Sequence, residues 1–342
     1  MLIDAFMGFN ELKLAEFRIK YLQNYVDRTI ILESSITHSG REKPLYFTDW
    51  LNSRIEFLPK VQVITVDLSK LTENWERERY SRSFLYDYIL LNYPNSKFIF
   101  SDLDEIPSCD QVQKFLDCDT YMKFSCLTYF RRANYRMEGR RRNWNRGVFG
   151  ITNLPRIEQG GRFSKLPLVS SSSPGGHFSY LDYQEGSISK KLESFAHQEL
   201  NFDLLKSKEF IDFCDKYSLS HIGGARHSGS GFISKLRYGE LTTIQKCLYE
   251  FNPTFFDFKN VRVGFLSRIV AAVVVSTIIN HPKSRNLLFE SIIRKRMKVS
   301  VLIFKYILIE ICYIICCHIS AWMKRIIRFF GINSFLASVL GK

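Results

Sequence analysis

No C-x-x-C pair and no Cys/His zinc-ligand spacing occurs in this chain of 342 residues, although it holds eight cysteines. That absence sets aside a zinc module and a dithiol redox pair. Cys312, Cys316 and Cys317 lie in an apolar run, and the others stand singly, as small buried residues do. They read as reduced thiols of a cytoplasmic protein. A secretory signal is lacking as well. Met1-Leu2-Ile3-Asp4-Ala5-Phe6 reads as a strand, with no basic leader before a long apolar stretch. No internal repeat or low-complexity tract occurs. Acidic residues are scarce in one region only. Residues 261–342 hold 13 Lys/Arg against 2 Asp/Glu, net +11, whereas residues 1–260 hold 35 against 32, net +3. A near-neutral body argues against nucleic-acid binding, and the basic tail argues for contact with an anionic surface. A charge-free span is missing too. The apolar run 269–279 has eleven residues, too few for the ~30 Å of a bilayer core. The run 299–323 is long enough but carries Lys305 and Glu310, each costing ~2.5–3.5 kcal/mol near the bilayer centre. Arg294, Lys295, Arg296 and Lys298 precede that run, and Lys324, Arg325 and Arg328 follow it. Basic flanks around an apolar run fit a segment lying at an anionic membrane surface; spanning and a packed helical subdomain are the alternatives.

What is present is apolar substance, 46% hydrophobic and 15% aromatic, enough for one large domain or two. The stretch with the most chemistry is Ser101-Asp102-Leu103-Asp104-Glu105-Ile106-Pro107. Lys97-Phe98-Ile99-Phe100 precedes it as a short apolar run behind Pro94, Asn95 and Ser96, which reads as a buried strand. Asp102, Asp104 and Glu105 therefore sit where a strand ends. Pro107 stops continuation, and Ser108 or Asp110 can cap a helix running to Leu116. Ligands of open α/β sheets bind outside the carboxyl ends of strands. Two carboxylates at i and i+2 there can hold a hard divalent cation and, through it, a diphosphate. The alternative is that they cap the helix and face water.

The chain before this stretch alternates strands and helices. Strands are expected at 2–6, 29–32 and 61–66, with helices at 12–22 and 75–91. Asn10 is placed to cap the first helix. Glu33 ends the second strand, and Trp75, Glu78 and Arg82 lie about one turn apart. This alternation predicts a parallel, Rossmann-like sheet. Beyond residue 120 the pattern changes. Strands are expected at 121–130 and 146–152. Between them lies a basic aromatic loop with Arg131, Arg132, Tyr135, Arg136, Arg140, Arg141, Arg142 and Trp144, either solvated or a surface for phosphate or a sugar acceptor. A loop then leads into Gly175-Gly176-His177-Phe178-Ser179-Tyr180, and Glu185-Gly186 precedes a helix with Lys190 and Lys191.

Several segments together resemble one family. They are Phe9-Asn10-Glu11-Leu12 with Glu16 and Arg18; Glu33-Ser34 with Thr37, Gly40, Pro44-Leu45 and Phe47; and Trp75 with Arg82. Asp102, Asp104-Glu105-Ile106-Pro107, His177, Ser179, Glu185-Gly186 and Lys190 complete the set, across roughly residues 1–200. Their order and spacing resemble glycosyltransferase family 17, the β-1,4-mannosyl-glycoprotein N-acetylglucosaminyltransferases and their bacterial relatives. The animal members look like anchored Golgi proteins, whereas no anchor is expected here. The tail after about residue 260 has no counterpart in the family pattern.

The resemblance implies an α/β, GT-A-like Rossmann-type transferase domain over residues 1–260, and the composition of residues 261–342 makes them a helical, basic-apolar tail. It implies inversion at the anomeric carbon and a donor that is a nucleotide sugar, UDP-GlcNAc first. Expulsion of a nucleoside diphosphate needs positive charge on the leaving group. Asp104, and Asp102 directly or through water, suit Mn²⁺ or Mg²⁺. His177 can add an imidazole ligand, or be structural. Lys190 can neutralise a phosphate, or be an exposed helix lysine. Arg82 pairs with Glu78 along a helix, and the resemblance places it near the donor. Glu33 is expected to orient nucleotide or sugar. Glu185 and Glu105 are the candidates for the base that takes the acceptor's proton; each carboxylate has a cap or ion pair as its alternative. The expected acceptor is a glycan or lipid-linked glycan, used in surface-polysaccharide assembly by a cytoplasmic enzyme peripheral on the inner face of the cell membrane. A nucleotide-sugar hydrolase or nucleotidyltransferase, and a non-enzymatic basic membrane adaptor, are the competing functions.

Overall fold

A computed structural model describes residues 1–139, 142–155, 165–181, 187–220, 222, 231–258 and 265–280. The chain divides into two compact units, Met1–Val263 and Gly264–Lys342.

The first unit begins as the alternation predicts, with one helix, α2, beyond those expected. Strands β1 (Leu2–Met7), β2 (Arg28–Glu33), β3 (Val61–Thr65) and β4 (Lys97–Asp102) alternate with helices α1 (Leu12–Leu22), α2 (Tyr46–Asn52) and α3 (Asn74–Asn92). These four strands run parallel in the order β3-β2-β1-β4. Period-2 alternation sorts their side chains between two faces. Ile3, Ala5, Ile30, Leu32, Phe98 and Phe100 meet Leu85, Tyr86 and Ile89 of α3. Phe6 and Ile31 meet Leu14 and Phe17 of α1 and Phe47 and Trp50 of α2. Asp4 lies in the middle of β1 and is wholly buried.

Beyond β4 the chain builds a second sheet. Strand β5 (Glu105–Ile106) leads into α4 (Cys109–Leu116), which opens on a reciprocal capping box between Ser108 and Gln111. The expected strand 121–130 is two, β6 (Met122–Lys123) and β7 (Cys126–Phe130). It divides because the chain changes sheets there. β6 pairs with β10 (Val148–Ile151), which joins the first sheet antiparallel to β4. β7 belongs to the second sheet, of order β12-β8-β7-β11-β5 with β9 also on β7. The basic aromatic stretch is therefore not a simple loop. It contains β8 (Tyr135–Met137) and β9 (Asn143–Trp144), whose backbone groups pair with β7. Residues 175–179 form β11 (Gly175–Ser179). β11 lies antiparallel to β5, which sets His177 opposite Glu105. Gly175 permits this pairing, since a Cβ there would stand 2.2 Å from the Ile106 carbonyl oxygen.

Helices α5 (Ser187–Ser194), α6 (Asp203–Lys206), α7 (Lys208–Lys216) and α8 (Thr243–Phe251), with β12 (Ile233–Lys235), complete the described part of this unit. Arg131 ties β7's end to α7. It sits at positive φ, is buried, and its guanidinium bonds the Asp215 carboxylate and the Ile211 carbonyl.

Of the second unit, helix α9 (Phe265–Asn280) is described. Ala271, Val274, Val275 and Ile279 form its buried stripe, at helical spacing. Residues 281–342, including the run 299–323 and its basic flanks, lie outside the described residues. Among those described, no helix is long and apolar enough to cross a membrane.

Candidate functional site

The strand order reverses direction at β1, between β2 and β4. In an open α/β sheet that switch point, at the carboxyl ends of the strands, is where a crevice forms. Gly8, Glu33 and Asp102 mark those three ends.

A buried ion pair shapes the turn at the end of β4. Asp4 of β1 and Arg18 of α1 have no exposure. Arg18 Nη2 is 2.6 Å from Asp4 Oδ1, and its Nε donates to Oδ2 at 2.8 Å. Its Nη1 donates to the backbone carbonyls of Asp102, Leu103 and Glu105 at 2.8, 3.2 and 3.1 Å. Ser101 Oγ accepts from Nη2 at 2.9 Å. A guanidinium has the planar fork for such a task, and full pairing offsets the cost of burying it. With the turn's carbonyls drawn inward, the side chains of Asp102 and Asp104 are left to meet Arg82 and Lys191.

Each of those acids meets a partner from another element. Asp102 Oδ1 is 2.7 Å from Arg82 Nη2 on α3, and Arg82 also holds Glu78 at 3.3 Å. Burial would lower the Arg82 pKa, but the carboxylates of Asp102 and Glu78 outweigh it and raise it. Asp104 Oδ2 accepts from Lys191 Nζ at 3.1 Å, and Lys191 also lies 3.3 Å from Glu11 Oε1. Burial would raise the Asp104 pKa, but the Lys191 charge and His177 hold it below the usual carboxylate value. Asp104 Oδ1 faces His177 Nε2 across 3.8 Å, too far for a hydrogen bond. Burial lowers the His177 pKa against the pull of Asp104, so the ring is neutral, and its Nδ1 is buried without a partner. Glu105 is 3% exposed and accepts from Trp144 Nε1. Its pKa rises to about 8 through burial and the neighbouring charges of Asp102 and Asp104. Trp144 stacks on His177 at 4.5 Å between ring centroids. His38 joins the rim; burial and the Arg82 charge lower its pKa to about 4. A cleft lined by Asn10, Glu11, Asp104, Tyr180, Ile188 and Lys191 opens beside Asp104.

The structure thus brings Asp102, Asp104, Glu105, His177 and Arg82 together. Two expected site residues lie apart from this group. Lys190 is exposed, and its neighbour Lys191 is the lysine of α5 that reaches Asp104. One residue along a helix turns the side chain by about 100°, and a motif without a phase does not say which lysine points in. Glu33 is no free donor ligand. Its carboxylate accepts from the Phe47 and Thr48 amides at 2.9 and 3.0 Å and from Thr48 Oγ1 at 3.1 Å, capping α2, and Lys43 lies 3.4 Å away. The residue at the N-cap of α1 is Glu11 rather than Asn10, and it makes no side-chain cap hydrogen bond. Glu185 lies outside the described residues. Arg18 and Glu11 entered only as residues that carry the resemblance, and Lys191 and Trp144 only by their place in a helix and a loop; none of the four was expected at the site. For Arg18 a signal existed, a charge on the apolar stripe of α1 facing an acid inside a buried strand.

Among the described residues, no three His, Cys, Asp or Glu side chains stand close enough to hold one ion. Two do face each other, Asp104 Oδ1 and His177 Nε2, with the other Asp104 oxygen taken by Lys191. Asp102 is 36% exposed although its Oδ1 is buried against Arg82, which leaves Oδ2 open. Asp104 and His177, with Asp102 reached through water, are side chains of the kinds that hold a divalent cation completed by water and phosphate oxygens.

A parallel sheet with an acidic turn at its switch point, faced by Arg and Lys from outlying helices, defines an α/β protein whose strand ends gather charges of both signs. The sequence profile of glycosyltransferase family 17 matches residues 1–212, and the chain belongs to that family. It is thus a glycosyltransferase by family. No curated protein matches the chain.

Proposed function

We propose that this chain is a metal-dependent, inverting glycosyltransferase of GT-A-like architecture that moves N-acetylglucosamine from UDP-GlcNAc to a glycan or lipid-linked glycan. The observation supporting it most is the paired acids after β4, each with one oxygen engaged by a cation and one left for a ligand. Asp104 and His177, with Asp102 directly or through water, would hold Mn²⁺ or Mg²⁺, which supplies Lewis-acid neutralisation of the leaving diphosphate. Arg82 and Lys191 add fixed positive charge on either side of the turn. Glu105 is buried under Trp144, out of reach of an acceptor hydroxyl, so the base role passes to Glu185. The basic tail would seat the enzyme on the anionic inner face of the cell membrane, where a lipid-linked acceptor is presented.

A donor screen tests this. Purified protein with Mn²⁺ is melted against a panel of nucleotide sugars, and UDP-GlcNAc should give the largest rise in melting temperature, lost on adding EDTA. Product analysis should show UDP released only when an acceptor is present. UDP formed equally well without acceptor would make the chain a hydrolase, and transfer undiminished by EDTA would overturn the metal. The full chain should also sediment with phosphatidylserine vesicles and not with phosphatidylcholine alone.

A further inference from the structure

Lys191 is held more firmly than a lysine that merely lines a cleft. Its Nζ lies 3.1 Å from Asp104 Oδ2 and 3.3 Å from Glu11 Oε1. The rings of Tyr180 and Phe195 stand 5.2 and 5.3 Å away, and the side chain is 13% exposed. The partners come from separate places in the chain: the β4–β5 turn, the start of α1, the end of β11 and the end of α5. Burial alone would lower its pKa, but the carboxylates of Asp104 and Glu11 raise it. A carboxylate on each side and π-faces around it make a box for a single positive charge.

The charges decide what this box does. Asp102 and Glu78 with Arg82 sum to one negative charge, and Asp104 and Glu11 with Lys191 sum to another. A divalent ion arriving at Asp104 Oδ1 stands close to the ammonium on Oδ2 of the same carboxylate. The two repel in a half-buried site where screening is weak. A diphosphate resolves the conflict, because its oxygens take both cations. We infer that Lys191 is a built-in counter-cation that makes divalent-metal binding at Asp104 conditional on a nucleoside diphosphate. The inference rests on the metal-dependent transferase proposed above and assigns its order of assembly: metal and donor enter as a coupled pair. Linkage makes the effect reciprocal.

The test is Mn²⁺ binding to the full chain, read by electron paramagnetic resonance of the free ion, with and without UDP. In the wild type UDP should tighten Mn²⁺ by at least about tenfold, within the usual range of coupling. Lys191→Met should bind Mn²⁺ alone several-fold tighter while the UDP effect shrinks. Lys191→Arg, which keeps the charge, should retain it. Glu11→Gln should shift Mn²⁺ alone in the opposite direction, several-fold weaker, and carries the test if Lys191→Met does not fold. A purely structural lysine would weaken Mn²⁺ and UDP together. Lys191→Met with native near-ultraviolet dichroism and unchanged Mn²⁺ affinity and coupling overturns the inference alone. A wild type that binds no Mn²⁺ even with UDP overturns it together with the proposed metal dependence.

Discussion

Glu33 and Asp104 stand on the same edge of the same parallel sheet, one ending β2 and the other just past β4. Both are carboxylates, both are buried, and both lie near a lysine. Glu33 is met by backbone amides of α2, which stay in place as long as the helix does. Asp104 is met by the side chains of Lys191 and His177, carried on α5 and β11. Amides of a helix terminus are a permanent part of the fold, whereas a lysine and a neutral imidazole can exchange partners when a ligand arrives. A strand-end acid is structural or functional according to what faces it.

The most severe way to break this comparison is to remove what holds the turn of Asp104 in place. Arg18→Met strips the buried Asp4 of its partner and releases three turn carbonyls. Chemical denaturation should show a loss of about 3–5 kcal/mol, as for other broken buried pairs. A loss under 1 kcal/mol would mean that the acidic turn holds itself. Next comes Asp104→Asn, which keeps the shape and removes the charge. Transfer should fall about 10²–10³-fold, the scale of losing one electrostatic stabiliser, with the melting temperature close to wild type. Full activity in this variant would remove Asp104 from the proposed metal site.

Glu33→Ala sharpens the contrast from the other side. It removes the α2 cap and leaves Lys43, itself 7% exposed, without its carboxylate. Stability should drop by about 1–2 kcal/mol, while transfer per folded molecule stays near wild type. A variant that keeps its stability but loses donor binding would return Glu33 to the donor site. The smallest effect belongs to Lys190→Ala. An exposed helix lysine of this kind should change stability by under about 0.5 kcal/mol and leave transfer unaltered. A fall in activity there would restore Lys190 to the phosphate role expected from the motif.

The sequence by itself determined most elements of the first hundred residues, α2 excepted. Apolar alternation and short turn-bounded runs marked β1 to β4 within a residue or two, and the spacing of Leu14, Phe17 and Leu22 marked α1. It also determined that Asp102, Asp104 and Glu105 stand at a strand end, because a strand, a turn and Pro107 follow one another locally. Tertiary structure decided the partners. Trp144 reaches Glu105 across 39 residues, Lys191 reaches Asp104 across 87, and Arg18 reaches the turn from 84 to 87 residues away. β8 and β9 were read as loop because short strands rich in Arg draw their pairing from β7 rather than from their own hydrophobic pattern. Local periodicity records which face of an element is buried. Which charge waits on that face depends on residues far away in the chain, and only the packed sheet and helices bring them within reach.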